Sequence, residues 1–152
     1  MSIYRAVEAY INIRAISKDS CNDVITVYGG HAAGKTKLLR SVEQTVSEVH
    51  PEMKIKYMTT FEFIHELVQA VYENRLPQYI ASCREIDLLL LDDLQDISGK
   101  IALEHELFNI FNALIEGKKQ VVVTLNRPIR EVSHFDRNVR KTLENGIVLK
   151  LS

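Results

Sequence analysis

The sequence predicts an α/β fold in which five parallel strands form one sheet with helices on both of its faces. Three observations predict it. Short apolar runs alternate along the chain with segments of helical periodicity, which is typical of repeated strand–helix–strand units. A glycine-rich segment, Gly29 to Thr36, joins the first apolar run to a helical segment. A later run, Leu88 to Leu91, is apolar throughout, as strands covered on both faces are.

Size and composition limit the classes of function. The 152 residues suggest a single domain, and 46% apolar with 26% charged residues is typical of a globular protein. The formal net charge of −1 excludes a whole-protein basic field, so any contact with nucleic acid must come from a local patch or a partner. Two cysteines, Cys21 and Cys83, lack the spacing of a zinc site or a disulfide framework, which favours a cytoplasmic location. We expect no membrane partner, since no signal peptide or membrane-spanning run is present.

Apolar spacing and helix breakers predict the elements of the first half. An amphipathic helix is predicted by apolar residues on one side, Ile3, Val7, Tyr10 and Ile11. The helix after the glycine-rich segment should end near residue 50, because Pro51 pushes the preceding residue away from helical geometry. The predicted elements are a helix over 3–16, a polar loop over 18–23, a strand over 24–28, a helix over 36–49 and a half-exposed strand over 53–58.

The same signals predict the second half. Thr59 or Thr60 can cap a helix whose apolar residues recur from Phe61 to Tyr72. Pro77 suits the first turn of a further short helix, and Gly117 suits the end of a longer one. The remaining elements are helices over 77–84 and 103–116, buried strands over 86–91 and 120–125, one or two short helices within 128–143, and a last strand over 147–150. The predicted single domain, 1–152, therefore consists of an N-terminal helix and loop (1–23) and a core (24–150).

The segment after the first strand fits the phosphate-binding pattern G-x-x-x-x-G-K-[ST]. Its glycines allow successive backbone N–H groups to turn inward around phosphate oxygens, and the next helix adds the positive end of its dipole. We expect Lys35 to reach the β- and γ-phosphates and the Thr36 hydroxyl to ligate Mg²⁺. The expected nucleotide-binding residues are Gly29, Gly30, His31, Ala32, Ala33, Gly34, Lys35, Thr36 and Lys37. The alternative is a glycine-rich turn that happens to contain a lysine.

Polar residues follow the two buried strands that come later. Asp92 is expected to hold Mg²⁺ through its water shell, and Asp93 to orient or deprotonate an attacking water. Asn126 is expected to hold that water or to sense the γ-phosphate. The sequence thus predicts Lys35, Asp93 and Asn126 as catalytic residues, and Thr36 and Asp92 as metal ligands. The alternative is that the acids are ordinary carboxylates at a strand end.

Other conspicuous residues favour structural roles. His65 and His105 each precede a glutamate on a predicted helix, but neither has the second histidine of a zinc-binding H-E-x-x-H pattern. Five aromatic residues are assigned to the core rather than to a base-stacking platform: Tyr57, Phe61, Phe63, Phe108 and Phe111.

Together these motifs resemble the AAA+ core, a P-loop NTPase fold, of the bacterial replication initiator family of DnaA and its relative Hda. The resemblance runs from about Val24 to Lys150. The segment around Lys35 resembles the family's Walker A segment, and Ile86 to Gln95 its Walker B segment. The helix over 107–117 is similar to the family's next helix. The turn at Asn126 resembles its sensor 1 turn, where DnaA usually has Asp.

The resemblance implies a function and partners. It implies ATP or ADP with Mg²⁺ as cofactors, and action in DNA replication initiation or its regulation through an initiator, a helicase or a second copy. Phe63 to Arg84 is similar to the paired helices of the initiator-specific insertion, which in DnaA help line a channel for single-stranded DNA. Four cations are candidates for a DNA-contacting patch, unless they are scattered solvated side chains: Lys54, Lys56, Arg75 and Arg84.

The departures from the family imply slow turnover. Thr142 occupies the position of the family's arginine finger, four residues before a glycine, and Arg137 and Arg140 are out of register. The chain resembles a minimal form without the helical lid and the DNA-binding domains. Because an arginine finger accelerates hydrolysis by several orders of magnitude, we expect weak or partner-dependent nucleotide binding and slow hydrolysis, if any. Two alternatives stay open: a nucleotide-insensitive module or decoy that docks on an initiator or helicase, and a small P-loop kinase, whose arginine-rich lid the sequence does not show.

Overall fold

The computed structural model describes residues 2–17, 23–30 and 33–151. Within these residues helices and strands alternate along most of the chain. The elements are α1 (Ile3–Ser17), β1 (Val24–Tyr28), α2 (Lys35–Val49), β2 (Ile55–Thr59), α3 (Thr60–Tyr72), α4 (Leu76–Arg84), β3 (Leu88–Asp92), α5 (Ile101–Glu116), β4 (Gln120–Leu125), α6 (Arg137–Glu144) and β5 (Ile147–Lys150). Short 3-10 helices cover Leu94–Ile97 and Ile129–Glu131. None of the described helices is long and apolar enough to cross a membrane.

The five strands form one parallel sheet in the order β2-β3-β4-β1-β5, which confirms the predicted fold class. β1 lies between β4 and β5, with Val24 beside Val121 and Ile25 beside Ile147. Because all strands run the same way, their carboxyl ends meet at one edge of the sheet. The glycine-rich segment follows β1, Asp92 ends β3, and Asn126 follows β4. These three strands are neighbours, so all three features lie at that edge.

Helices cover both faces of the sheet. α1 and α2 pack on one face, where Leu88 and Leu90 of β3 are fully buried. The helices α3 to α6 pack on the other face, against Leu89 and Leu91. Successive strand residues point to opposite faces, so each central strand contributes to two separate cores. This explains why β3 and β4 carry apolar runs without alternation.

Three side chains that the sequence assigned to the core or to the apolar side of a helix are exposed: Ile3, Tyr10 and Phe61. Phe61 is 64% exposed, whereas Phe63 is 2% exposed, because residues two apart lie on nearly opposite sides of a helix. On α1 the buried residues are Val7, Ile11 and Ala15. Their strict four-residue spacing leaves Tyr10 outside the buried stripe.

Candidate nucleotide site

The loop between β1 and α2 needs glycine at two of its described positions. Gly34 adopts a left-handed backbone with φ of 85°, which glycine reaches without strain. A Cβ on Gly29 would lie 2.3 Å from the carbonyl oxygen of Leu151, which follows β5. The predicted binding residues His31 and Ala32 lie outside the described residues.

Lys35 turns back over this loop. Its side chain is buried, and Nζ donates to the carbonyl oxygens of Gly29 at 2.7 Å and Gly30 at 2.8 Å. An ammonium group carries three donors, and among the described residues these two carbonyls take two of them. The geometry holds the positive charge where the loop and the start of α2 enclose it.

Asp92 lies at the end of β3 and is 1% exposed. Thr36 donates its hydroxyl to Asp92 Oδ2 at 2.6 Å, and Tyr57 donates to the same oxygen at 2.8 Å. Thr124 of β4 donates to Oδ1. A buried carboxylate is tolerated when donors satisfy it, and here three hydroxyl groups from three elements do so.

Tyr57 remains a hydrogen-bond donor at physiological pH. Burial is the main cause that raises the pKa of Tyr57, followed by the hydrogen bond to Asp92 and the charge of that residue. The hydroxyl therefore stays protonated. Sequence reasoning placed Tyr57 in the core and missed this contact, because Tyr57 stands two residues before the strand position that pairs with Asp92.

Gln95 joins the two remaining polar residues at this edge. Asp93 has a left-handed backbone with φ of 59°, and its N–H donates to Thr124 Oγ1 at 2.9 Å. Gln95 Nε2 donates to Asp93 Oδ1 at 3.3 Å, and Gln95 Oε1 accepts the N–H of Asn126 at 3.1 Å. Gln95 thus bridges the second acid and the turn after β4, a role that the sequence motifs did not assign.

These residues surround a cavity of about 360 Å³. The loop and α2 line one side, and the segments after β3 and β4 line the other. The lining residues are Gly34, Lys35, Thr36, Lys37, Asp93, Gln95, Asp96 and Asn126. The structure therefore brings residues from three distant parts of the sequence to one cavity, with Asp92 buried behind Thr36.

Asp96 is a further acid of the cavity that sequence reasoning missed. It lies on the 3-10 helix after β3. Burial, and then the charge of Asp93, raise the pKa of Asp96 above its ordinary value, while Lys100 lowers it. No established motif reserves this position for an acid, so the sequence carried no signal for it.

The donor set fits Mg²⁺. Thr36 donates its hydroxyl hydrogen bond to Asp92, which leaves the oxygen lone pairs of Thr36 available to a cation. Hydroxyl and carboxylate oxygens are the ligands that Mg²⁺ prefers, and this ion usually keeps several waters and few protein ligands. Thr36 and Asp92 are therefore residues that could hold Mg²⁺.

Several predicted residues have other partners. Lys37 Nζ lies 5.8 Å from the ring centroid of Tyr4, in cation–π geometry. Two of the four cations considered for DNA contact are paired with acids: Lys56 Nζ lies 3.1 Å from Glu66 Oε1, and Arg75 pairs with Glu73. Because two of the four cations lie beside carboxylates, the four together do not form a uniformly basic patch.

The residues near the arginine-finger position are also engaged. Thr142 donates its hydroxyl to the carbonyl oxygen of Asn138 at 2.9 Å. Arg140 donates to the carbonyl oxygens of Ile129, at 2.8 Å, and Val132. The guanidinium of Arg140 is thus hydrogen-bonded to the segment between β4 and α6.

Comparisons with known proteins agree with this geometry. The family model described as bacterial DnaA ATPase domain matches residues 3–150. The chromosomal replication initiator protein DnaA of a Thermus thermophilus strain is 37% identical over 122 residues, which are 80% of this chain and 28% of that protein. The chain thus spans less than a third of that relative's length.

Solved structures show the same fold. Domain III of the Thermotoga maritima replication initiation protein DnaA is 30% identical, has a TM-score of 0.88, and matches 97% of this chain and 61% of its own. The replication initiator DnaA bound to AMPPCP and single-stranded DNA is 25% identical, with a TM-score of 0.85, over 95% of this chain and 45% of its own. These matches confirm the resemblance drawn from the motifs. The chain belongs to the bacterial DnaA ATPase domain family.

Proposed function

We propose that this chain binds ATP or ADP with Mg²⁺ in the cavity beside Lys35, and that it acts in DNA replication initiation or its regulation. The observation that carries the proposal is that one cavity is lined by the phosphate-binding loop, by Asp93 and Asp96 after β3, and by Asn126 after β4. A relative with the same fold was solved with AMPPCP, a nucleotide analogue, which supports the same class of ligand here. Family membership gives no support to the kinase alternative.

Each side chain has a proposed role. The phosphates are surrounded by the loop residues 29–34, which include His31 and Ala32, and by Lys37. Lys35 neutralises the charge of the β- and γ-phosphates. Thr36 ligates Mg²⁺, and Asp92 holds the ion through its water shell. Mg²⁺, when bound, neutralises phosphate charge. Asp93 orients or deprotonates the attacking water, and Asn126 positions that water or senses the γ-phosphate.

Turnover is proposed to be slow or partner-dependent. Phosphoryl transfer in this class of site depends on a cation that stabilises the charge of the transition state, supplied in many cases by an arginine. Thr142 stands at the family's finger position and carries no charge. Arg140 is bound to two backbone carbonyls of its own domain. The site is therefore better suited to holding a nucleotide than to hydrolysing it quickly.

Replacing Lys35 tests the site. Lys35→Ala removes the buried ammonium that faces the phosphates, and we expect at least about a hundredfold loss of ADP affinity, since a charged hydrogen-bonding group is lost from a site for a polyanion. Isothermal titration calorimetry with Mg²⁺ and ADP measures this loss. Lys141→Ala, which removes an exposed lysine on α6, is the matched control and should bind as wild type does. Equal ADP affinity in Lys35→Ala and wild type would overturn the site assignment.

A second candidate function is a nucleotide-insensitive module that docks on an initiator or helicase. The uncharged Thr142 and the Arg140 guanidinium, which is hydrogen-bonded to two backbone carbonyls of its own chain, favour it, because neither supplies a free cation at the finger position. A wild-type chain that takes up neither ADP nor ATP, yet binds a purified initiator or helicase, would support this candidate over the first.

Partners and location are further parts of the proposal. We propose a protein partner from the replication machinery, or a second copy, and a cytoplasmic location. Single-stranded DNA is a further candidate ligand of α3 and α4, supported by the relative solved with such a strand. The ion pairs of Lys56 and Arg75 weaken the electrostatic part of that contact.

A further inference from the structure

Tyr57 reaches the Asp92 carboxylate from the edge strand of the sheet. β2 pairs with β3 so that Thr59 lies beside Asp92, and the phenol ring of Tyr57 spans the two-residue offset. Its hydroxyl donates to Oδ2 at 2.8 Å, and Thr36 donates to the same oxygen at 2.6 Å. Asp92 Oδ2 therefore has two donors, one from a proposed Mg²⁺ ligand and one from a residue outside the phosphate-binding motif.

The helix that carries Thr36 also holds the Tyr57 ring. The guanidinium carbon of Arg40 lies 3.6 Å from the centroid of that ring, in cation–π geometry. Arg40 stands four residues after Thr36 on α2, so both side chains lie on one face of the helix. One face of α2 thus fixes Asp92 directly, through Thr36, and indirectly, through Tyr57.

We propose that Tyr57 is a positioning residue for Mg²⁺, a role that rests on the function proposed above. By donating to Oδ2, Tyr57 fixes the Asp92 carboxylate in the orientation in which it accepts the hydrogen bond of the Thr36 hydroxyl. The Thr36 oxygen then keeps its lone pairs toward the metal. Tyr57 does not line the cavity, so it acts through Asp92 and not on the nucleotide.

If Tyr57 positions the Mg²⁺ site, its removal should affect nucleotide binding that depends on Mg²⁺ and leave binding without Mg²⁺ unchanged. Removing the Tyr57 hydroxyl leaves Oδ2 with the Thr36 donor, while Thr124 still holds Oδ1. Loss of an outer-shell partner typically lowers metal affinity about 10- to 100-fold. Phosphate contacts of Lys35 and of the loop backbone do not depend on that hydroxyl. Binding that depends on Mg²⁺ should therefore weaken, and binding without Mg²⁺ should not.

The test is Tyr57→Phe, which removes one oxygen and keeps the ring that stacks on Arg40. Tyr79→Phe is the matched control, because the Tyr79 hydroxyl donates to a different carboxylate, Glu66 Oε1, at 3.1 Å. The full chain is titrated with Mg²⁺ at fixed ADP, and with ADP in EDTA, by calorimetry, and its thermal unfolding is recorded. We expect the Mg²⁺ midpoint to rise at least about tenfold in Tyr57→Phe, with unchanged ADP affinity in EDTA. Tyr79→Phe should keep the wild-type midpoint.

The outcomes separate the two proposals. A folded Tyr57→Phe with the wild-type Mg²⁺ midpoint overturns the role of Tyr57 alone. An equal loss of ADP affinity with and without Mg²⁺ also overturns it, because a merely structural role would produce that result. A wild-type chain that takes up no ADP in either condition overturns the proposed function, and the role of Tyr57 with it.

Discussion

Glu104 is a buried carboxylate outside the residues that line the nucleotide cavity. It lies in the first turn of α5 and is fully buried, and it accepts the N–H of Asp136 at the start of α6. Burial raises the pKa of Glu104 above its ordinary value, against the opposing effect of the Asp136 and Gly99 N–H groups. Glu104 therefore joins two helices at the cost of holding a charge away from water.

The raised pKa makes a prediction about pH. A carboxyl group whose pKa is higher in the folded chain favours folding when protonated, so its contribution to stability falls as the pH rises above the ordinary carboxyl range. Glu104→Gln keeps an oxygen acceptor without the charge. We expect its free energy of unfolding, relative to wild type, to increase between about pH 4 and pH 7, as urea unfolding at each pH would measure. Glu116→Gln, on the exposed end of α5, should show no such trend; the same trend in both variants would contradict the assignment.

At the residue scale, the sequence could make predictions only where a motif ties a residue type to a position. The pattern G-x-x-x-x-G-K-[ST] identified Lys35 and Thr36, and the structure places both at one cavity with Asp93 and Asn126, although their roles remain predictions. Tyr57 could not be found in this way, because its contact with Asp92 depends on how β2 pairs with β3. The signal for Thr124 was present as a hydroxyl directly after three valines of β4, beside the strand that ends in Asp92.

At the scale of elements, α3 shows how a sequence alternative is resolved. The sequence allowed Thr59 or Thr60 as its cap. In the structure Thr59 accepts the N–H of Glu62 at 3.1 Å, and Glu62 Oε1 accepts the N–H of Thr59 at 2.8 Å, which is a capping box. Thr60 instead donates its hydroxyl to the carbonyl oxygen of Asp92 at 3.0 Å.

The capping box makes a prediction for helix stability. Thr59→Ala removes the acceptor for the Glu62 N–H, and we expect a loss of about 1 kcal/mol in the free energy of unfolding, measured by urea titration. Thr59→Ser keeps a hydroxyl at the cap and should retain most of that stability. Equal losses in both variants would show that the methyl group of Thr59, and not its oxygen, stabilises this end of the helix.

Element boundaries were predicted best where hydropathy and hydrogen bonding agree. β1, β4 and β5 cover the predicted residues. β3 was predicted over 86–91 but runs from Leu88 to Asp92, because Asp92 continues the ladder beside Thr59 despite its charge. The apolar run ended the predicted strand before Asp92, whereas strand pairing carries β3 through that residue. The division of the domain at residue 23 stays a prediction.

At the scale of the whole molecule, the sheet connects two cores that share no side chain among the residues that the structure describes. Leu90 of β3 lies in the core under α1 and α2, and Leu91 lies in the core under the helices α3 to α6. Both residues are fully buried. Because adjacent residues of one strand serve both cores, neither core can lose its packing while the strand stays in place. The molecule should therefore unfold as one cooperative unit.

Two single substitutions in β3 test whether the molecule unfolds as one cooperative unit. Leu90→Ala and Leu91→Ala each leave a cavity in one core, and each should lower the free energy of unfolding by about 2–5 kcal/mol. In each variant, far-UV circular dichroism and tyrosine fluorescence should follow the same single transition during urea unfolding, since damage to either core destabilises the shared strand. Val148→Ala on β5, where the side chain is 42% exposed, is the control and should cost much less. Two separate transitions in either leucine variant would show that the cores unfold independently and that β3 does not couple them.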